Sequence, residues 1–388
     1  MPICGTENAP LDRQKMNNAR CTGENEKNGE RDGMDIVALL SESVRKGASD
    51  VFIVAGRPLT CKINGAMVAM GEERMEPAAT EQMVCEIYML AGNRSTEHLY
   101  QSGDDDFSLA LPQISRFRVS AYKQRGSLAA VIRIVTFDLP DPEKLGIPES
   151  VLRIADRTKG MVLVTGAAGS GKSTTLACMI DRINKTRGAH IITLEDPVEF
   201  LHRHNKSIVS QREVSSDTES YVKALHAALR QSPDVILLGE MRDYNTINVA
   251  MTAAETGHLL FSTLHTLGAA KTIDRIVDVF QPNQQQQIRV QLAMVLQAVI
   301  SQQLVPTVDG RIVPALEIMI ANTAIRNLIR ESKSHQIDAI IQSSGAEGMI
   351  TMDSSLMALY ERGVITESVA LAHSPNPELL AKRLAKRK

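Results

Sequence analysis

Tryptophan is absent, and Phe, Tyr and Trp together make up only 3% of the 388 residues. Base-stacking platforms for single strands are built from such rings, so that class of function is disfavoured. An excess of positive charge is missing as well. Lys and Arg number 43 against 45 Asp and Glu, a formal net charge of -2. Nucleic-acid binders carry a basic field, so no nucleic-acid partner is expected. Long hydrophobic runs are lacking: nothing approaches the ~18 uninterrupted apolar residues of a spanning helix. The first 33 residues hold no apolar core of the signal-peptide kind. The expectation is a cytoplasmic protein without stable membrane insertion, free to dock on a membrane complex. The cysteines, Cys4, Cys21, Cys61, Cys85 and Cys178, include no Cys-x-x-Cys pair. Their spacing gives neither a disulfide framework nor a four-cysteine zinc site.

What remains is ordinary globular material, 43% hydrophobic and 23% charged, long enough for two or three domains. Residues 1–33 are polar and read as a mobile extension. Apolar periodicity starts at Ile36 and runs through Leu39, Leu40 and Val44, which predicts an amphipathic helix. Strands are predicted at 50–54, 60–63, 66–69, 107–111, 116–123 and 129–135, with a helix at 80–91. Asn64-Gly65 supplies a hairpin turn. Residues 34–135 thus read as an α+β domain. Pro140, Pro142, Gly146 and Pro148 mark 136–150 as a linker. Beyond it, apolar strands at 161–165, 190–194, 235–238 and 259–263 alternate with helices, the pattern of a mostly parallel sheet. From about 283 only helices are expected: 283–304, 322–332, 335–343, 351–362 and 366–372. Residues 373–388 form a tail ending in Lys382, Arg383, Lys386, Arg387 and Lys388, read as a solvated helix end.

The strongest chemical signal is GAAGSGKS at 166–173, the complete G-x-x-x-x-G-K-[ST] pattern between a strand and a helix. Glycines let several backbone N–H groups curl towards one anion, and the following helix adds its positive end. Lys172 is placed to reach the β- and γ-phosphates, and the Ser173 hydroxyl to ligate Mg²⁺. The residues expected to hold ATP are Gly166, Ala167, Ala168, Gly169, Ser170, Gly171, Lys172, Ser173 and Thr174.

Carboxylates follow two of the apolar strands. Glu195, Asp196 and Glu199 come after 190–194, and Glu240 after 235–238. Such positions lie at the carboxyl edge of the sheet, where ligands bind. Glu240 is the candidate to polarise an attacking water. The preceding position, where an Asp is usual, holds Gly239, which leaves the metal to Ser173 and water. His265 ends the strand 259–263 on the same edge and is a candidate γ-phosphate sensor or coupling residue, whereas His258 reads as structural.

With these residues in place, the chain resembles the secretion ATPases of the type II and type IV pilus class, and most closely their twitching-motility retraction branch. The segment ITLEDPVEF (192–200) is similar to the family's Asp box, DVILLGEMRD (234–243) to its atypical Walker B, and AAETGHLLFSTLHT (253–266) to its His box. AIRNLIRE (324–331) resembles a signature of the retraction subgroup. The resemblance covers about 34–372. It implies a PAS-like α+β N-terminal domain, then a RecA-like P-loop ATPase domain at 151–372 with a helical C-terminal part. It also implies a homohexamer at the cytoplasmic face of the inner membrane, working on a pilus platform protein. Lys172 and Ser173 would bind phosphates and Mg²⁺, Glu240 would be the catalytic carboxylate, and Glu195, Glu199 and His265 would support it. Arg116, Arg118 and Arg133 would be the candidates to approach the phosphates from the first domain.

Read from periodicity alone, 324–331 is an amphipathic helix with Ala324, Ile325, Leu328 and Ile329 on its apolar face. Arg326, Asn327, Arg330 and Glu331 lie opposite. The chain departs from the family at His226, where Arg is common, and at Gln231-Ser232, where an acidic pair is usual. An assembly or secretion ATPase is the alternative within the class, but that branch usually carries four cysteines in its C-terminal half, and only Cys178 follows residue 85. A RecA-like DNA motor is the alternative outside it, and charge and composition argue against that.

Overall fold

The computed structural model describes residues 35–63, 65–135 and 139–386. The chain divides into two compact units, Met1–Phe137 and Asp138–Lys388. The extension 1–33 lies outside the described residues, as do Asn64 of the hairpin turn and the tail residues Arg387 and Lys388.

The first unit is a six-stranded antiparallel sheet, ordered β3-β2-β1-β6-β5-β4. Its strands are β1 (Ala48–Ile53), β2 (Thr60–Ile63), β3 (Ala66–Ala69), β4 (Asp104–Leu111), β5 (Ser115–Gln124) and β6 (Ser127–Val135). Alternation decides which face is buried. On β5, Phe117, Val119 and Ala121 turn inward, while Arg118 and Ser120 face out. The helices Ile36–Arg45 and Pro77–Leu90 supply Leu39, Leu40, Val84, Ile87 and Tyr88 to the same core. One buried carboxylate is fully used. Asp105 accepts hydrogen bonds from Tyr88 Oη (2.8 Å), Arg94 Nε (3.0 Å) and Arg94 Nη2 (2.9 Å). Burial pushes this carboxyl up, but the bonds from Arg94 and Tyr88 outweigh it and hold the group below its ordinary value.

The second unit is built on a seven-stranded sheet, ordered β13-β12-β7-β11-β10-β8-β9. Its strands are β7 (Gly160–Thr165), β8 (His190–Glu195), β9 (Ile208–Glu213), β10 (Val235–Leu238), β11 (Leu259–Leu264), β12 (Leu296–Pro306) and β13 (Ile312–Ile320). All neighbours run parallel except β12 and β13. Apolar layers cover both faces. One is formed around Leu163, Leu225, Ile273 and Leu292, the other around Val162, Met179, Ile183 and Phe261. Strands buried on both faces read as continuous apolar runs.

The expected helix 283–304 is corrected here. The helix is Pro282–Val295, the chain turns extended at Leu296, and β12 and β13 follow as a hairpin. Leu296–Val305 is buried apart from the half-buried Gln297, Gln303 and Leu304 and has no two-residue alternation, so period does not tell it from a buried helix. Pro314 sits within β13, which is at the sheet edge, where a proline is tolerated. Further along that outer edge, Ile318 N–H donates to Ile350 O (2.9 Å) and Leu316 N–H to Ser355 Oγ (3.1 Å).

Lys382 and Arg383 lie in the last turn of a helix, as read, but the segment is more than a tail. Pro377–Ala385 is a helix capped by Asn376, and it buries Leu380 and Leu384 against Val305, Met352 and Leu356. The helix Thr323–Arg330 buries Ile325 and Ile329 as expected, but Ala324 is exposed. Arg326 is not on a solvent face. It donates to the carbonyls of Ala293 and, at 2.9 Å, Met294, capping the end of the preceding helix.

Candidate nucleotide site

Parallel register brings the carboxyl ends of β7, β8, β10 and β11 to one edge of the sheet. Val235 pairs with Ile191 and Leu259, and Leu264 pairs with Thr165. The loops at 166–171, 195–199, 239–243 and 265–268 therefore converge, and a cleft of about 520 Å³ opens among them. Ala168–Thr174, Glu195, Glu199, Glu240 and His265 all line it. Gly166 and Ala167 lead into the loop.

The loop's glycines are required by geometry at two points. Gly166 has φ +147°, and a Cβ there would fall 2.3 Å from Gln302 O. Gly171 caps the helix Lys172–Thr186 in the left-handed region at φ +84°. That helix directs its unbonded first-turn N–H groups at the cleft. Lys172 is buried and its Nζ donates to Gly166 O (2.9 Å) and Ala167 O (2.8 Å). Desolvation pulls its ammonium below the ordinary value, against the nearby charges of Glu240 and Glu199. The Ser170 hydroxyl is buried without a hydrogen-bond partner. A glycine-shaped cradle, an ammonium and an unspent hydroxyl suit a polyphosphate. Ser173, on the first helical turn and lining the cleft, fits as a ligand for the accompanying Mg²⁺.

Glu240 stands across the cleft with both carboxylate oxygens engaged. Oε1 meets Arg242 Nη2 at 2.7 Å and Oε2 meets His265 Nε2 at 3.3 Å. Glu195 ends β8, with Gln211 Nε2 3.4 Å from its Oε1. Burial pushes its carboxyl up to about 7, and the Glu199 charge adds to this against its hydrogen bonds. Glu199 is exposed at the rim. At Gly239 an added Cβ would meet Tyr221 Oη at 2.9 Å and Leu194 O at 3.2 Å. An Asp at this position would have to displace Tyr221. His258 is structural, its Nδ1 2.9 Å from Ala253 O. His226 is exposed, and Ser232 takes a left-handed φ of 52° before the buried Pro233.

Arg116, Arg118 and Arg133 belong to the first unit. Arg118 and Arg133 are direct cross-strand neighbours on β5 and β6. Arg133 Nε donates to Asp50 Oδ1 at 3.0 Å, and Arg116 is half-buried on β5.

Tyr221, Arg242, Asp196, Thr263 and Leu304 also line the cleft, and motif reasoning does not find them all as site residues. Arg242 is two residues past Glu240, so the i+2 spacing was a usable signal. Tyr221 and Leu304 reach the cleft only through the fold.

A strand, glycine loop and helix with carboxylates on neighbouring strand ends define a P-loop nucleotide-binding protein. The family model for "Type II/IV secretion system protein" matches residues 33–349. The Pseudomonas aeruginosa protein described as a type IV pilus retractation ATPase PilT is 45% identical, over 89% of this chain and 99% of its own. A twitching motility protein of Neisseria gonorrhoeae is 45% identical, over 89% of this chain and 92% of its own. A crystal structure described as the pilus retraction motor PilT with bound ADP superposes with a TM-score of 0.82 at 44% identity, covering 90% of this chain and 99% of that one. The chain belongs to the type II/IV secretion system protein family.

Proposed function

We propose that this chain is a motor ATPase that couples ATP hydrolysis to retraction of a type IV pilus. The observation that carries the reading is the cleft where the phosphate loop faces the Glu240–His265 pair, in a chain 45% identical to a retraction ATPase over nearly that protein's whole length.

In this reading Lys172 leaves its loop carbonyls for the β- and γ-phosphates, and the loop N–H groups hold their oxygens. Glu240 orients the attacking water, and His265 orients Glu240. Ser173 would hold Mg²⁺, which would neutralise charge on the phosphates. Glu195 and Glu199 shape the acidic wall. The first unit serves as the PAS-like domain, and Arg116, Arg118 or Arg133 approaches the phosphates from it. Six protomers form the working ring, peripheral at the cytoplasmic face of the inner membrane and in contact with the platform protein. Among the described residues no helix is long and apolar enough to cross a membrane.

The test is a strain lacking this gene. More surface pili with lost twitching supports retraction. Absence of pili overturns it in favour of assembly.

A further inference from the structure

We infer that Gln302 is a positioning residue for the phosphate loop, acting from β12, a strand that contributes to none of the sequence motifs of the site; this rests on the nucleotide reading of the cleft. Gln302 is only 3% exposed. Its Oε1 accepts a hydrogen bond from Thr175 Oγ1 at 2.7 Å, and Thr175 is itself fully buried in the first turn after the loop. Its main-chain carbonyl stands 2.3 Å from where a Cβ on Gly166 would lie, and its Nε2 is 2.7 Å from the corresponding point on Gly171. One residue thus meets the loop at its entry, at its last glycine and at the fourth residue of the helix.

The placement follows from register. Ser301 pairs with Thr165, the last residue of β7, so the next residue on β12 lies level with the start of the loop. The flanking residues act in the same region. Ser301 Oγ accepts from Gly268 N–H at 2.9 Å, in the loop that follows His265, and Leu304 lines the cleft. A buried amide offers two donors and an acceptor in a fixed plane. Its oxygen therefore holds the Thr175 hydroxyl, which an apolar residue of similar volume could not do. The two contacts with the loop's glycines differ in kind: a main-chain carbonyl crowds Gly166, whereas the Gln302 side-chain amide itself crowds Gly171, whose φ of +84° already favours glycine. Gly166 is thus the position where the β12 backbone leaves no room for a side chain.

The contrasting possibility is a satisfied core glutamine, whose loss weakens the fold and leaves nucleotide affinity alone. Binding of ADP with Mg²⁺ to the full chain separates the two. Gln302→Leu should weaken binding roughly three- to tenfold, the range of one net hydrogen bond. Thr175→Val should lose the same factor, Thr175→Ser should bind as the parent does, and the double variant Gln302→Leu/Thr175→Val should be no weaker than either single. Parent-like affinity in Gln302→Leu, or two losses that multiply in the double variant, overturns the inference. If Gln302→Leu does not fold, the Thr175→Val and Thr175→Ser pair reads the same contact: equal affinity in both overturns it. Lys172→Ala serves as the control for the site. If the parent binds ADP and Lys172→Ala does not, the nucleotide reading stands whatever Gln302 does. If the parent fails to bind ADP, both readings fall.

Discussion

His265 Nε2 lies 3.3 Å from Glu240 Oε2, joining the ends of two neighbouring strands, β11 and β10, across the mouth of the cleft. Glu240 is thereby held by a residue 25 positions away in sequence, and its other oxygen by Arg242. The pair gives the first prediction. Glu240→Gln keeps the shape and the ATP affinity but removes the charge that would orient water, and turnover should fall at least ~10²-fold. His265→Ala should lower kcat with little change in KM for ATP. Steady-state ATPase assays with nucleotide titrations check both, and unchanged turnover in Glu240→Gln would remove it from its role.

Lys172 separates binding from chemistry. Lys172→Ala removes the ammonium that holds the loop carbonyls and is placed for phosphates. The affinity for ATP itself should drop by tenfold or more, on the order of the 1.5–3 kcal/mol of a charged hydrogen bond. Equilibrium binding with a non-hydrolysable analogue measures it, and parent-like affinity would sink the assignment of the loop.

Glu195 offers a pH signature. Its carboxyl is raised from an ordinary 4.5 to about 7, chiefly by burial. The folded state holds that proton more tightly than the unfolded chain, so its favourable contribution is lost as pH rises. In nucleotide-free protein the Glu195 contribution should decline between pH 4.5 and about 7, by at most ~1.4 kcal/mol per pH unit, and then level off. Glu195→Gln has no such proton to lose. Thermal midpoints of the two proteins should therefore diverge in favour of the variant as pH climbs through that window. Parallel curves would contradict the shift.

In the first unit, the Tyr88–Asp105–Arg94 network should matter to stability alone. Arg94→Ala leaves a buried carboxylate with only Tyr88 bonded among its present side-chain donors. A loss of about 1.5–3 kcal/mol is expected. Denaturant unfolding measures it, and an unchanged midpoint would show the pair to be solvent-screened.

The sequence made the phosphate loop and its acidic neighbours legible because each is a local pattern. Gly166–Ser173 carries its own turn chemistry, and Glu240 follows a short apolar strand with only Gly239 between them. The β12–β13 hairpin was not legible for the opposite reason. Leu296–Val305 mixes apolar residues with Gln297, Ser301, Gln302 and Gln303 and shows no two-residue alternation, so no period distinguishes strand from helix. Gln302 was lost with it. Tyr221 fills the space beside Gly239 only because the helix Tyr221–Ala228 packs over β8 and β10, a tertiary fact that no spacing encodes. Arg326 misled in another way. A charged residue in an amphipathic helix reads as solvent-facing, yet here its long side chain reaches the carbonyl end of a neighbouring helix.

Pro314 has a consequence beyond its own strand. An exposed strand edge is a template on which another chain can grow, and this edge has few donors left to offer. Ile318 and Leu316 have spent theirs on Ile350 and Ser355, and Pro314 has none. Copies of the protein can therefore gather through side-chain surfaces without their central sheets fusing into a fibril along this border. The border of β13 is thus a poor template for edge-to-edge pairing. Pro314→Val would put a donor back and reopen it.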